Sequence, residues 1–159
     1  MRPPLELLRT AGVEVVVHEH VPVATVADVL VALPFPAEEH VKTLAVDAGG
    51  VIVLAGLRGS DRVAFGKLAR AVGVARDRVS PLSPERVRSE LGLEPGGVCV
   101  LVDRDDVVVL VDPAVLALRR VYCGSGRTDA TLELDPADLV AVADATVVEL
   151  AADAVATPG

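Results

Sequence analysis

The chain of 159 residues is long enough to bury one substantial core and too short for two ordinary domains, so a single domain is expected. Apolar residues make up 52% of it, yet Phe35, Phe65 and Tyr122 are its only aromatics, which places the core on Val, Leu, Ile and Ala and fits an α/β protein. A formal charge of −8 excludes a domain that wraps long nucleic acid, although eight cations against three acids between Arg58 and Arg88 leave two readings, a local anionic partner or a solvated helix face.

In chain order, Leu5, Leu7 and Leu8 form the apolar side of a short helix opened by Pro4 and stopped by Gly12. "VEVVVHEH", Val13 to His20, reads as a strand with His18 and His20 on one face; no third ligand accompanies them, so no metal is expected. Thr25 is the candidate N-cap of a helix over "VADVLVAL" that Pro34 ends. "VKTLAVDAGGVIVLAGL" predicts two strands joined by an Asp-Ala-Gly-Gly turn. "RVAFGKLARAVG" places Val63, Phe65, Leu68, Ala69 and Val72 on one helical stripe, with Gly73 as the stop. Ser83 and Pro84 open a further helix, "PERVRSELG", closed by Gly92.

"GGVCVLVD" and "DVVVLVD" read as two strands split by the charged turn "DRDD". A short helix, "PAVLAL", leads into "VYCGSGRTDATLEL", a strand, a glycine-rich corner and a second strand. Asp135 caps "PADLVAVA", "TVVEL" is a last strand, and residues 152–159 are expected as a flexible tail after a domain spanning 1–151. Hairpins and strands outnumber helices, which predicts an α/β (α+β) domain with a mixed or antiparallel sheet and helices packed outside it. The two cysteines, Cys99 and Cys123, have neither metal-ligand spacing nor a disulfide pattern, no apolar run approaches membrane-spanning length, and "MRPPLELLRTAGVEVVV" lacks the pattern of a signal segment, so none is expected. A cytoplasmic protein without a membrane partner is expected.

Two features carry chemistry. Of fifteen cations only Lys42 and Lys67 are lysine, so positive charge in this chain is normally written as Arg. Where Lys stands, a compact ammonium with an adjustable pKa is either required or merely snorkelling from a strand end. Gly124-Ser125-Gly126, with Gly96-Gly97 as a second corner, can present backbone N–H groups to a phosphate or a polarised carbonyl, or can simply turn the chain tightly. Ser125 does not sit in a nucleophile elbow, and Cys123 reads as a buried strand cysteine.

In order and spacing, "VVVHEHVPVATVADV", "HVKTLAV", "GKLARAVG", "LGLEPGGV", "VLVDPAVLAL" and "VYCGSGRTDATLELDPADLVAV" resemble the YbaK-like, or prolyl-tRNA synthetase-associated, family of aminoacyl-tRNA deacylases from about Leu5 to Leu150. The resemblance implies a central mixed, barrel-like sheet surrounded by helices. It also implies hydrolysis of the ester joining a wrong small amino acid, of the alanine or cysteine type, to proline tRNA, with neither metal nor cofactor. The implied partners are the aminoacyl-tRNA acceptor end and an aminoacyl-tRNA synthetase, not DNA. The signature lysine maps onto Lys42, and the site expected on this basis has Lys42, Gly124 and Gly126 as catalytic residues. His20, Thr25, Thr43, Gly96, Gly97, Val98, Ser125 and Arg127 are expected to bind substrate. The sequence departs from the common pattern at Cys99 and Val100, where members continue with Ser-Pro, at Ala64, where an acid is usual, and at Thr131, where many have Asp. These departures keep a non-catalytic relative, binding an aminoacyl-nucleotide end or a synthetase, as the alternative.

Overall fold

The structure is a computed structural model that describes residues 1–33 and 35–153. Its centre is an eight-stranded mixed sheet. The strands are β1 (Val16–Glu19), β2 (His40–Ala48), β3 (Val51–Arg58), β4 (Val79–Pro81), β5 (Val108–Val111), β6 (Val121–Gly124), β7 (Ala130–Leu134) and β8 (Thr146–Val147). They run in the order β1-β7-β6-β2-β3-β5-β8, with β4 paired to β2 off this path. The β1–β7, β7–β6, β2–β3 and β2–β4 pairs are antiparallel, whereas β6–β2, β3–β5 and β5–β8 are parallel.

Alternation along the strands puts apolar side chains on both faces, so both must be covered. On one face Val41, Leu54, Val111, Cys123, Leu132 and Leu134 pack with Leu8, Val115 and Leu139 from the helices α1 (Pro4–Thr10), α5 (Pro113–Leu116) and α6 (Pro136–Ala143). On the other, Val46, Val53, Ala55 and Leu57 pack under Leu68 and Ala69 of α3 (Phe65–Val72) and under Leu150. The stripe on α3 is the one read from the sequence, and Gly73 ends it at φ 84°, a left-handed geometry that favours glycine. Thr25 caps α2 (Val26–Ala32) through a 3.1 Å bond from the Asp28 amide, and Asp135 caps α6 through a bond from Ala137. None of the described helices is long and apolar enough to cross a membrane.

Several expectations are corrected. Val98 to Asp103 is not a strand: Cys99, Val100 and Leu101 are fully buried, but β5 takes its partners from β3 and β8. A continuous apolar run signals burial, and burial alone does not create a ladder. The first strand is shorter than expected, and of "TVVEL" only Thr146–Val147 is strand; Val148 N–H still donates to Val111 O at 3.0 Å, and Leu150 N–H turns to the Asp112 carboxylate at 2.8 Å. β4 was not anticipated. "PERVRSELG" starts as α4 (Pro84–Arg86) and widens into one π turn, Val87–Leu91, before Gly92. At the C-terminal end, Ala152 N–H reaches Arg62 O at 2.7 Å and Asp153 pairs with Lys67 at 3.1 Å. Pro34 and residues 154–159 lie outside the described residues.

Candidate active site

On one edge of β2, β6 pairs with His40 and Val41 only, and β4 with Val46 to Ala48 only. Between these contacts no strand pairs with the edge among the described residues, and a cleft of about 280 Å³ opens there. Its walls are His40, Lys42 and Thr43 of β2, Pro95 to Val98, and Gly124, Arg127, Ala130 and Thr131 around the second corner. Val23, Ala24, Thr25 and Val29 close it from the side of α2. A hollow of about 570 Å³ beside Arg58 and Asp112 is larger but contains none of the expected residues.

The two glycine corners interlock. A Cβ on Gly124 would stand 2.5 Å from Gly97 O and 2.6 Å from Val98 O, and one on Gly97 would stand 2.3 Å from Arg127 O. One on Gly96 would meet Val23 O at 2.8 Å. None of these three has a positive φ, so glycine serves here for closeness and not for backbone angle. Gly126 differs: at φ 87° it needs the left-handed region, and its N–H donates to Gly97 O at 2.8 Å. Gly97 N–H likewise donates to Glu94 O at 2.8 Å. Gly126 therefore does not line the cleft or offer it an amide, contrary to expectation; it clasps one corner to the other. Ser125 is also a fastener, buried and donating through Oγ to Ala130 O at 2.7 Å, and is not a cleft wall.

Lys42 is half-buried, and its ammonium donates to the main-chain carbonyl of Asp61. The Asp61 carboxylate is held by Arg58 at 2.8 Å, and the direct partner of Lys42 is a neutral carbonyl oxygen. Burial holds the Lys42 pKa below its ordinary value; Asp61 opposes this and Arg62 adds to it. His40, two residues earlier and 7% exposed, is pushed down to about 4 by burial and by the Lys42 charge, so it is a neutral imidazole at pH 7. Neither His40 Nδ1 nor Thr43 Oγ1 has a hydrogen-bond partner among the described residues.

Lys42, Thr25, Thr43, Gly96, Gly97, Val98, Gly124 and Arg127 of the expected site thus share one cleft. Arg127 stands exposed at its mouth, paired with Asp129 at 2.8 Å. His20 is not a wall; its ring bonds Thr131 Oγ1 at 2.8 Å, while His18 bonds Glu133 at 2.8 Å. Sequence reasoning missed His40 as a site residue, although it stands in the same "HVK" triplet as Lys42. It also treated Thr131 as a departure only. Of the departures, Cys99 and Val100 are sealed in the core and Ala64 precedes α3 with its N–H on Leu150 O at 2.7 Å, leaving Thr131 as the one that faces the cleft.

The fold has counterparts among solved structures. The hypothetical protein APE2540 is 27% identical and superposes with a TM-score of 0.82, covering 93% of this chain and 98% of its own. A protein described as a candidate trans-editing enzyme for prolyl-tRNA synthetase is 26% identical with a TM-score of 0.78, covering 93% and 94%. A scaffold used for computational epitope grafting is 25% identical with a TM-score of 0.79, covering 94% of each chain. No curated protein matches the sequence. The model of the aminoacyl-tRNA editing domain matches residues 20–142, a span that contains every wall of the cleft, and the chain belongs to that family.

Proposed function

We propose that this protein is a trans-editing aminoacyl-tRNA deacylase that hydrolyses the ester of a small amino acid, alanine or cysteine, mischarged onto proline tRNA. The observation that carries the reading is the meeting of Lys42 with both glycine corners at one cleft of amino-acid size. Lys42 holds the acceptor end through a phosphate, ribose or carbonyl oxygen, a task suited to a compact ammonium whose charge no carboxylate cancels directly. Corner amides not already used inside the loops stabilise the oxyanion as water adds to the ester carbonyl carbon, and the bond to the tRNA 3′ oxygen then breaks. Binding alone separates side chains that differ by one methylene by only about 1–3 kcal/mol, which is why such errors need a hydrolytic second check.

The acidic chain suits a grip on the acceptor end alone, with a synthetase supplying the remaining affinity for tRNA; the relative described as serving prolyl-tRNA synthetase supports that pairing. The test is amino-acid release from proline tRNA charged with alanine, cysteine or serine, with and without prolyl-tRNA synthetase. Release by wild type and its loss in Lys42→Ala is the expected result. No release under any condition would sink the enzyme reading in favour of a non-catalytic binder of the aminoacyl-nucleotide end.

A further inference from the structure

Among the described residues the cleft walls contain no carboxylate, and His40, with its pKa near 4, is a weak base. A second imidazole nevertheless reaches the cleft through a hydroxyl. Thr131 is 3% exposed and forms part of the wall, and its Oγ1 lies 2.8 Å from His20 Nε2. The other ring nitrogen, Nδ1, lies 2.8 Å from the main-chain carbonyl of Val21. A carbonyl oxygen only accepts, so Nδ1 carries the hydrogen; in the neutral ring Nε2 is then the acceptor and the Thr131 hydroxyl donates to it. The lone pairs of Oγ1 then receive no donor among the described residues.

The sheet builds this arrangement. β1 ends at Glu19 opposite Ala130, and His20 N–H donates to Asp129 O at 3.0 Å, which anchors His20 just past the strand pair and beside Thr131. A hydroxyl, an imidazole and a fixed acceptor in series form the general pattern in which a base is held in one tautomer and aimed at a reacting group. A threonine needing only a partner for its hydroxyl would not require the far side of that partner to be fixed, or a place in the cleft wall.

We infer that Thr131 and His20 form a proton relay acting as the general base for ester hydrolysis in this cleft, an inference that rests on the deacylase reading. As the water oxygen bonds to the ester carbonyl carbon, the water proton passes to Thr131 Oγ1 and the threonine's own proton passes to His20 Nε2. The imidazolium that forms is held through Nδ1–H by the Val21 carbonyl. When the tetrahedral intermediate collapses, the carbon–oxygen bond to the tRNA breaks and a proton returns by the same route to the leaving 3′ oxygen. The products are the free amino acid, a tRNA 3′-hydroxyl and the original neutral pair.

The experiment compares single-turnover release and KM for wild type, Thr131→Val, Thr131→Ser and His20→Gln, with thermal melting of each. Valine keeps the shape of threonine without the hydroxyl, and glutamine keeps a hydrogen-bonding group near the Nε2 position without the basicity. Both are expected to slow the chemical step by about 100-fold with KM unchanged, and serine to return most of the rate. An active wild type whose Thr131→Val or His20→Gln variant keeps its rate, or loses only affinity or stability, overturns the relay and leaves the deacylase reading standing. A wild type inert toward every ester overturns that reading and the relay together.

Discussion

The two ends of β2 are built from similar material and differ in how completely they are satisfied. At the hairpin end, Asp47 accepts from Gly50 N–H at 2.8 Å and pairs with Arg86 at 2.9 Å, and Gly49 and Gly50 take φ of 65° and 94° to turn the chain. At the cleft end, Glu39 Oε2, His40 Nδ1 and Thr43 Oγ1 are buried without partners among the described residues, and Lys42 is half-buried on a lone carbonyl. Each unpartnered buried polar group costs about 1–3 kcal/mol, a cost the hairpin end avoids. The glycines follow the same division: a Cβ on Gly50 would meet nothing within 4 Å, whereas one on Gly124 would strike backbone oxygen. One end is organised for stability, and the other holds destabilising groups where a ligand can use them.

The largest expected effect tests this contrast at the corners. Gly124→Ala forces the interlocked loops apart and should cost roughly 3 kcal/mol or more, lowering the melting temperature by about 10 °C and closing or distorting the cleft. A melting scan showing no loss would break the claim that closeness is what glycine provides there. Next, Lys42→Ala should lower deacylation by about 100-fold while leaving stability unchanged or slightly improved, because a half-buried charge is removed. Equal losses of activity and stability would place Lys42 with the scaffold instead.

The third expectation concerns His40. Its pKa of about 4 in the folded protein lies below the ordinary 6.5, so between these values the unfolded chain binds more protons and stability rises with pH. The contribution is fully present above pH 6.5 and is lost as pH falls to 4, a change of about 3 kcal/mol. Denaturant titrations across this window, compared with His40→Gln, should show a slope in wild type that the variant lacks; coincident slopes would show that the imidazole is not held neutral. The smallest effect is Gly50→Ala, about 1 kcal/mol from the strained φ alone, with deacylation untouched. A loss of activity there would show the two ends to be coupled.

Much of the architecture was legible locally. The caps at Thr25 and Asp135, the stripe on α3 and the turn at Gly49-Gly50 depend on residues within one or two turns of each other, where periodicity and side-chain chemistry decide the conformation. Val98 to Asp103 misled because an apolar run reports burial and is silent about hydrogen-bonded neighbours. Within the site, Lys42 was conspicuous as a lysine in an arginine-rich chain, and the corners as an excess of glycine. The role of Gly126 could not be read, since only the folded loops show its N–H used on Gly97 O.

The sequence by itself determined the family, the mixed α/β class, the choice of Lys42 and the glycine corners as candidate chemistry, because each rests on residue identity and local spacing. Only the tertiary structure decided which backbone atoms Gly124 and Gly97 approach, that His40 is buried without a partner for Nδ1, and that His20 reaches Thr131 across 111 residues of chain. Those contacts follow from strand register and loop packing, and a register shift of one residue would turn every side chain of a strand to the opposite face.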